Sequence, residues 1–494
     1  MNSDTIGAIS TPPGNGGIGI IRVSGPAAIE TVDGIFASRR QNSEAYSIRT
    51  AHEVVRMSAF TMKHGYIFDP DTADGDGIPE FADECLVSVM RAPRSYTGED
   101  VVEVNTHGGT AVMRRVLGIL FKRGVRPAEP GEFTKRAFLN GRIDLTRAEA
   151  VAELIQARTE ESRKAAMEQM TGALAALIDR HAEKIGETLA RLEVAIDYPE
   201  YDEDEQIIKE ALESLESSGR ELRELAATYE RGRLVREGLR VAICGKPNAG
   251  KSSLLNGLLG FGRAIVTDIP GTTRDTLEEA MEIAGFPVIL TDTAGLRDAD
   301  DVVERLGVER ARAELGRADA VVFLFDAGGN IDEDFALLHS IAAEIAGKFT
   351  ILAVNKCDLL SGDAPAAYKE RFSECLKVFD CAKTDAKPEE NREVVFISVK
   401  QGGAAEISDL IAAYLERNGA GSGGAILTGE RHKALVDRAI AAIDRATASA
   451  KQGQPLDLIA YDVWECANAL GEITGRNVTD EVIDTIFSKF CLGK

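Results

Sequence analysis

Positive charge is the scarcer sign in this chain: 57 Lys and Arg stand against 80 Asp and Glu over 494 residues, a net charge of −23. A protein that tracks phosphates by bulk positive charge is thereby excluded, and any nucleic-acid contact must be local or shared with a partner. Cysteines number seven, an odd count, and lie scattered without C-x-x-C spacing, which indicates neither a disulfide framework nor a zinc site. No uninterrupted apolar run approaches the ~18 residues of a membrane-spanning helix. The opening MNSDTIGAIS lacks the basic-then-apolar layout of a signal peptide. The expectation is a cytoplasmic protein with free thiols and no membrane association. Hydrophobic residues at 44% and charged residues at 28% are ordinary for a globular chain, so wholesale disorder is excluded. At roughly 100 to 200 residues per domain, the length predicts two to four domains.

Short β-like runs alternate with helical ones over residues 5–123: TIGAIS, GIGIIRVS, KHGYIF, ECLVSVM and VVEVN, then a helical stretch to Lys122. This predicts a small α/β domain over 1–123. Within it, Asp69, Asp71 and Glu80 echo a calcium loop, but Ala73 and Asp74 break the pattern, so a solvated hairpin loop is expected. From Thr146 to Ile196, Leu174, Leu177, Ile178, Ile185, Leu189, Leu192 and Ile196 recur at three- and four-residue spacing, and Leu212, Leu215, Leu222 and Leu225 follow beyond Pro199. These predict amphipathic helices in a helical domain whose first part spans 124–230. The acidic run Glu200 to Glu205 between them reads as a solvated turn. Strand–loop–helix alternation returns over 231–416, and RNGAGSGGAI at 417–426 reads as a linker. Residues 427–494 are predominantly helical and too few for a large core of their own; with the linker they make up the second part of the helical domain, 417–494. They are expected to pack on the 146–230 helices, which makes the 231–416 module an insertion.

Residues Gly245 to Ser252 read GKPNAGKS, after the apolar run VAIC and before SLLNGLLG. A G-x-x-x-x-G-K-S between strand and helix is the context a phosphate-binding loop requires. Backbone amides around Asn248, Ala249 and Gly250 can curve about phosphates, Lys251 can reach the β and γ phosphates, and Ser252, with Ser253 beside it, opens the helix and can ligate Mg²⁺. Downstream, Asp292, Thr293, Ala294 and Gly295 follow FPVILT, placing a carboxylate at a strand end for the same metal and an amide for a γ-phosphate. Between them, Asp268, Ile269, Pro270, Gly271, Thr272 and Thr273 form a polar loop offering hydroxyls. After TILAV stand Asn355, Lys356 and Asp358; the carboxylate can accept from guanine N1–H and its exocyclic amine, a pair adenine does not present. Ser398, Val399 and Lys400, after VVFI, complete a base pocket. Order and strand contexts together predict a guanine-nucleotide site.

Hydrolysis needs a group to orient water, and the residue directly after Gly295 is Leu296, which does not do that work. Arg297, Asp298, Asp300, Asp301, Glu304 and Arg305 are the polar candidates nearby, and the residues alone do not choose among them. Gly14, Gly16 and Gly19 form a G-x-G-x-x-G, but a strand-like IGIIRV follows it where a dinucleotide site needs a helix. His107 reads as a hydrogen-bonded strand-end histidine.

The order NAGKSSLLN, TDIPGTTRD, DTAGLR, NKCD, with SYTGEDVVEVNTHGG and PGEFTKRAFLNGRIDLTRAEA near the start and FCLGK at the end, resembles the bacterial tRNA modification GTPase family called MnmE or TrmE over nearly the whole chain. The resemblance implies a multidomain α/β plus all-α fold: an N-terminal α/β folate-binding and dimerisation domain, a central helical domain and an inserted Ras-like P-loop GTPase domain. It implies GTP hydrolysis through potassium-dependent dimerisation of the G domains. Potassium would sit at the positions matching Asn248, Thr267, Ile269 and Thr272, magnesium at Ser252 and Thr273, and the water-orienting glutamate would be Glu304.

For the N-terminal domain the resemblance implies a tetrahydrofolate derivative, 5-formyl or 5,10-methylene, as one-carbon donor, at positions matching Arg22, Glu103, Arg142 and Lys494. Arg142 departs from the family's usual lysine, keeping the charge but changing a point charge to a planar fork. Cys491, flanked by Lys489 and Lys494, becomes a tRNA-modification residue by the same resemblance. The implied protein is a homodimer. With a flavin-dependent partner of the glucose-inhibited division protein family, as a hetero-oligomer, it would install an aminomethyl-type (carboxymethylaminomethyl) group at carbon 5 of the wobble uridine of certain tRNAs. The competing class is a non-enzymatic GTP-dependent switch in ribosome assembly or signalling, which a basic RNA-binding tail would favour; none is evident. A folate-binding sensor regulated by the G domain is a third reading. Residues 361–392, between the two base-pocket motifs, receive no functional account.

Overall fold

The computed structural model describes residues 4–38, 52–72, 79–198, 204–261, 263–264, 278–292, 311–360, 368, 371–372, 392–419 and 424–494. Two compact units emerge: residues 1–155, 169–216 and 438–494 form the first, and 156–168 with 217–437 form the second.

The first unit holds a seven-stranded sheet of β1 (Ile6–Ile9), β2 (Gly16–Ser24), β3 (Phe36–Ala37), β4 (Thr61–Asp69), β5 (Glu80–Met90), β6 (Val101–Gly108) and β7 (Arg126–Pro127), in the order β3-β4-β5-β6-β2-β1-β7. Only the β1–β7 pairing is parallel. Ile21 and Val23, Val87 and Val89, and Val102 and Val104 alternate inward at the two-residue period of a half-buried strand. The helix Thr110–Lys122 covers that face with Met113, Val116, Ile119 and Leu120, spaced as a helix requires. Burying each such side chain contributes about 1.5–3 kcal/mol, and Leu120→Ala would cost about 2–5 kcal/mol by leaving a cavity. Gly16 to Gly19 enter β2, with Gly16 opposite Gly108; a Cβ at Gly108 would come 2.4 Å from the Gly16 carbonyl, so these glycines permit close backbone approach.

The expected hairpin is present, with Asp69 pairing with Glu80 across antiparallel β4 and β5, while residues 73–78 of its loop lie outside the described residues. Asp69 itself is fully buried, held 3.3 Å from Lys122 Nζ and 3.2 Å from Arg115, whereas Asp71 and Glu80 are exposed as expected. A buried carboxylate is tolerable only when so partnered.

In the same unit the helix Ala173–Asp197 buries Leu174, Ile178, His181, Ile185, Thr188, Leu192 and Ala195. This stripe alternates four and three residues, a 3.5-residue period suited to helix-on-helix packing. Leu456–Thr474 is the partner helix, through Ile459, Val463, Cys466, Leu470 and Ile473. Ile196, expected in the stripe, is exposed, and the polar His181 and Thr188 take positions that hydrophobicity alone did not mark. The side chains of the acidic run 200–205 lie outside the described residues.

The second unit's sheet comprises β8 (Leu239–Gly245), β9 (Arg263–Ala264), β10 (Glu278–Ile283), β11 (Phe286–Asp292), β12 (Ala320–Asp326), β13 (Phe349–Asn355) and β14 (Arg392–Phe396). Their order is β14-β13-β12-β8-β11-β10-β9, and all pairings from β14 to β11 are parallel. β10 runs antiparallel beside β11, giving the Ras-like arrangement. The strands β8, β12 and β13 read as nearly continuous apolar runs because helices cover both faces. Tyr368 and Phe372, from the stretch without a functional account, pack their rings on Phe325, with centroids 6.4 and 5.0 Å away. Arg417 to Gly419 belong to the helix Ala404–Gly419, so that helix takes the first residues of the expected linker.

Candidate functional site

Ligands of open parallel sheets gather beyond the carboxyl ends of the strands, and there the sequence motifs of the second unit converge. The phosphate loop leaves β8 with Asn248 at φ 67° and Gly250 at φ 102°. A Cβ at Gly250 would lie 2.3 Å from Asn355 Nδ2, so glycine is required by conformation and by space. Lys251 opens the helix Lys251–Phe261 and donates to the carbonyls of Gly245 at 3.0 Å and Lys246 at 2.9 Å. Burial pushes its amine below the usual lysine range, partly offset by the Asp292 carboxylate. An ammonium poorly solvated at a helix N-terminus is suited to a phosphate.

Asp292 ends β11, with Oδ2 3.4 Å from the Ser252 hydroxyl, while its buried Oδ1 has no hydrogen-bond partner among the described residues. An orphaned carboxylate oxygen beside a hydroxyl fits the donor set of a hard, oxygen-ligated cation such as Mg²⁺. Ser253, Asn248 and Asp358 are exposed at the rim, and Ala249 is buried beneath the loop. Asn355, at the end of β13, donates to the Ala249 carbonyl at 2.8 Å and accepts from Val399 N–H at 3.1 Å. One buried amide therefore fixes the phosphate loop and the second base motif together. Lys356, at φ 63°, extends to Asp326 Oδ2 at 2.6 Å. Ser398 is buried at the end of β14, and Lys400 is exposed. Thr267 to Thr273, Thr293 to Gly295, and Glu304 lie outside the described residues.

Sequence reading passed over Lys246, Asp326 and Asp334. The only signal was that Asp326 ends an apolar strand, VVFLF, as Asp292 does.

In the first unit a second constellation forms where the chain's last residues return to its first strands. Arg22 on β2 faces Glu103 on β6 in register, and its Nε and Nη2 donate to Glu103 Oε1 at 2.9 and 2.8 Å. Arg22 Nη1 also donates to the Gly493 carbonyl at 3.3 Å. Tyr96 lies between two guanidinium groups, with Arg22 5.1 Å and Arg142 5.5 Å from its ring centre. Arg142 in addition donates to the Tyr96 carbonyl. Burial and the nearby Arg22 charge lower Lys494 below the usual lysine range. Among the described residues its ammonium has no ion-pair partner. Arg22, Glu103, Arg142 and Lys494 thus share one neighbourhood, with Tyr96 and Phe133 as aromatic members that the sequence reading did not name.

This tail is seated by helix Asp480–Phe487 and Phe490, which pack with Leu145 and Ala148. Gly131, at φ 69°, lies where a Cβ would meet the Phe487 carbonyl at 2.6 Å, and its N–H donates to the Cys491 carbonyl at 3.4 Å. The Cys491 thiol side is exposed. The long PGEFTKRAF motif supplies the support beneath: Arg136, 5% exposed, bonds Glu132, Asp4 and Glu99, and Arg126 bonds Asp4 and Glu132. His107 bonds Asp83 at 2.7 Å at the exposed end of β6.

The family model for the MnmE helical domain matches residues 145–491, and that for the GTP-binding protein TrmE N-terminus matches 5–142. The tRNA modification GTPase MnmE of Carboxydothermus hydrogenoformans is 46% identical over all of both chains. Its counterpart from Acetivibrio thermocellus is 42% identical over 99% of each. Among solved structures, the G domain of the T. maritima FeoB iron transporter is 27% identical, covering 36% of this chain and 98% of that one, with a TM-score of 0.25. No described helix is long and apolar enough to cross a membrane. With the phosphate loop, the Asp292 carboxylate and the Asn355 bridge set at the strand ends, and with relatives matching from end to end, the chain is a GTP hydrolase and belongs to the MnmE family of tRNA modification GTPases.

Proposed function

We propose that this GTP hydrolase acts with a flavin-dependent partner to install a carboxymethylaminomethyl-type group at carbon 5 of the wobble uridine of certain tRNAs. The observation that carries the reading is the joint presence, in one chain, of a nucleotide site and of a cationic constellation built around Arg22 and the C-terminal Cys491–Lys494 tail. In the nucleotide site, water attacks the γ-phosphorus, the bond to the β–γ bridging oxygen breaks, and GDP and phosphate leave. Lys251 neutralises charge on the phosphates, Ser252 and Thr273 would hold Mg²⁺, and Glu304 would orient the water. Asn248, Thr267, Ile269 and Thr272 would hold K⁺, which when bound supplies positive charge between phosphates. Asp358, Asn355, Lys356 and the Ser398–Lys400 segment would read the guanine.

In the N-terminal site, Arg22, Arg142 and Lys494 offer cations suited to the carboxylates of a tetrahydrofolate derivative, and Glu103 an acceptor for its pterin amine. The folate when bound would supply a one-carbon unit. Lys494, half-buried beside Arg22 and Glu103 and making no salt bridge among the described residues, supports this. A homodimer is supported by the large apolar side chains Ile18, Met62 and Leu86, which are exposed on strands of the N-terminal sheet. With a charge of −23, most tRNA affinity would come from the partner protein.

GTP turnover measured in potassium against sodium at equal ionic strength tests the reading. Faster turnover in potassium, rising more than linearly with protein concentration, is expected. Equal turnover in both salts by an isolated single copy would sink it.

A further inference from the structure

Asp334 lies in the helix Ile331–Ser340, outside every motif of the nucleotide site, and is fully buried. Its Oδ1 is 3.3 Å from Lys246 Nζ in the phosphate loop, and its Oδ2 accepts from the backbone N–H of Asp326 at 3.4 Å. Lys246 is held further by the Asn330 carbonyl and Glu333 Oε2, each at 3.0 Å. Asp326 uses its own carboxylate in two directions: Oδ1 accepts from Gly328 N–H at 3.0 Å, and Oδ2 holds Lys356 of the base motif at 2.6 Å. Two carboxylates thus join the start of the phosphate loop to the lysine of the base motif, beside Asn355, with which Asp326 pairs in the sheet.

A buried ion pair is weak as a source of stability, because desolvation cancels much of the Coulomb attraction; its better-attested use is to fix one arrangement among several. The arrangement here is a loop with Asn248 and Gly250 at positive φ, a backbone that needs external support to stay in place.

We propose that Asp334 is a positioning residue for the nucleotide: through Lys246 it sets the phosphate loop, and through Asp326 it sets Lys356, so that phosphates and base are held by one linked frame. The inference rests on the guanine-nucleotide reading of this site and adds a residue that touches no part of the ligand.

The test uses the full chain and a fluorescent GDP analogue, with Asp334→Asn, Lys246→Met and the double variant. Each single substitution is expected to raise the GDP dissociation rate about tenfold, and the double variant no further than Asp334→Asn alone, because the Lys246 link is already broken there. KM for GTP rises in parallel, while kcat at saturating GTP stays within about twofold. Asp326→Asn, which weakens the hold on Lys356, is expected to narrow the preference for GDP over inosine diphosphate, which lacks the exocyclic amine. Wild-type dissociation rates in Asp334→Asn, or additive effects in the double variant, overturn the proposal. If Asp334→Asn does not fold, Lys246→Met reads the same link from its other end, and an unchanged rate there overturns it. A wild-type chain that binds no guanine nucleotide overturns the site reading itself.

Discussion

The side-chain amide of Asn355 donates to the carbonyl of Ala249 across 106 residues of sequence, at 2.8 Å in a buried setting. Its oxygen at the same time accepts from the Val399 amide at 3.1 Å. Asn355 is therefore a clamp between three loops, in addition to the base contact proposed for it. Its amide can satisfy a buried acceptor and a buried donor together, which neither Asp nor Leu can do.

Removing that clamp leaves a buried carbonyl and a buried N–H without partners, at about 1–3 kcal/mol. Asn355→Ala should weaken GDP binding by roughly tenfold to a hundredfold, read by equilibrium titration. Affinity equal to wild type would show that the loops hold themselves.

Glu304→Ala separates binding from hydrolysis. GDP and GTP affinities should stay at wild-type values while single-turnover hydrolysis is nearly abolished, since the glutamate is assigned to the water and not to the nucleotide. A variant that hydrolyses GTP normally removes that assignment.

Acid should loosen the N-terminal unit in a defined way. Hydrogen bonding from Arg126, against opposing burial and aided by Arg136, holds Asp4 below the usual 3.8. Burial would raise Glu132, but bonds from Arg126, the Glu129 amide and Arg136 outweigh it and hold the carboxyl below 4.5. Depressed folded-state values stabilise above the unfolded pKa, and that stability is lost as pH falls through the folded one. Glu132→Gln should cost about 1.5–3 kcal/mol near neutrality by removing the charged acceptor that Arg126 and Arg136 share, although Asp4 and Glu99 still pair with them. The gap to wild type, followed by denaturant unfolding, should be full above the unfolded value of 4.5 and close as pH falls through it towards the lower folded value. A gap constant with pH would mean the lost contacts are not ionic.

Thiol chemistry should sort the cysteines by place. Burial pushes the thiols of Cys85 and Cys466 up to about 12, whereas Cys491 is exposed. Peptide mapping after brief alkylation of the native protein should find Cys491 modified and Cys85 and Cys466 intact. Cys491→Ser should keep GTP hydrolysis and lose tRNA modification; loss of both, or of neither, contradicts a role for this thiol in modification.

What the sequence determined by itself was local. Strand ends could be read because an apolar run stops at a polar residue, and Asp292 and Asn355 stand at such stops. Glycines of the phosphate loop could be read because few other residues adopt its backbone. Helical stripes gave the periodicity but not every member: Ile196 is exposed, and His181 and Thr188 are buried, because packing against a partner helix, not hydropathy, decides which side of a stripe is covered.

Tertiary structure alone decided what meets what. Arg22 reaches the Gly493 carbonyl across 471 residues, and Asp334, in the helix after β12, reaches Lys246, in the loop after β8. Nothing in a local pattern encodes such pairs, since periodicity says that a face is buried and is silent on the surface that buries it. The buried Asp69 shows the same rule: its spacing looked like a solvated loop, and only the hairpin that carries it beside Lys122 and Arg115 made it an internal ion-pair anchor.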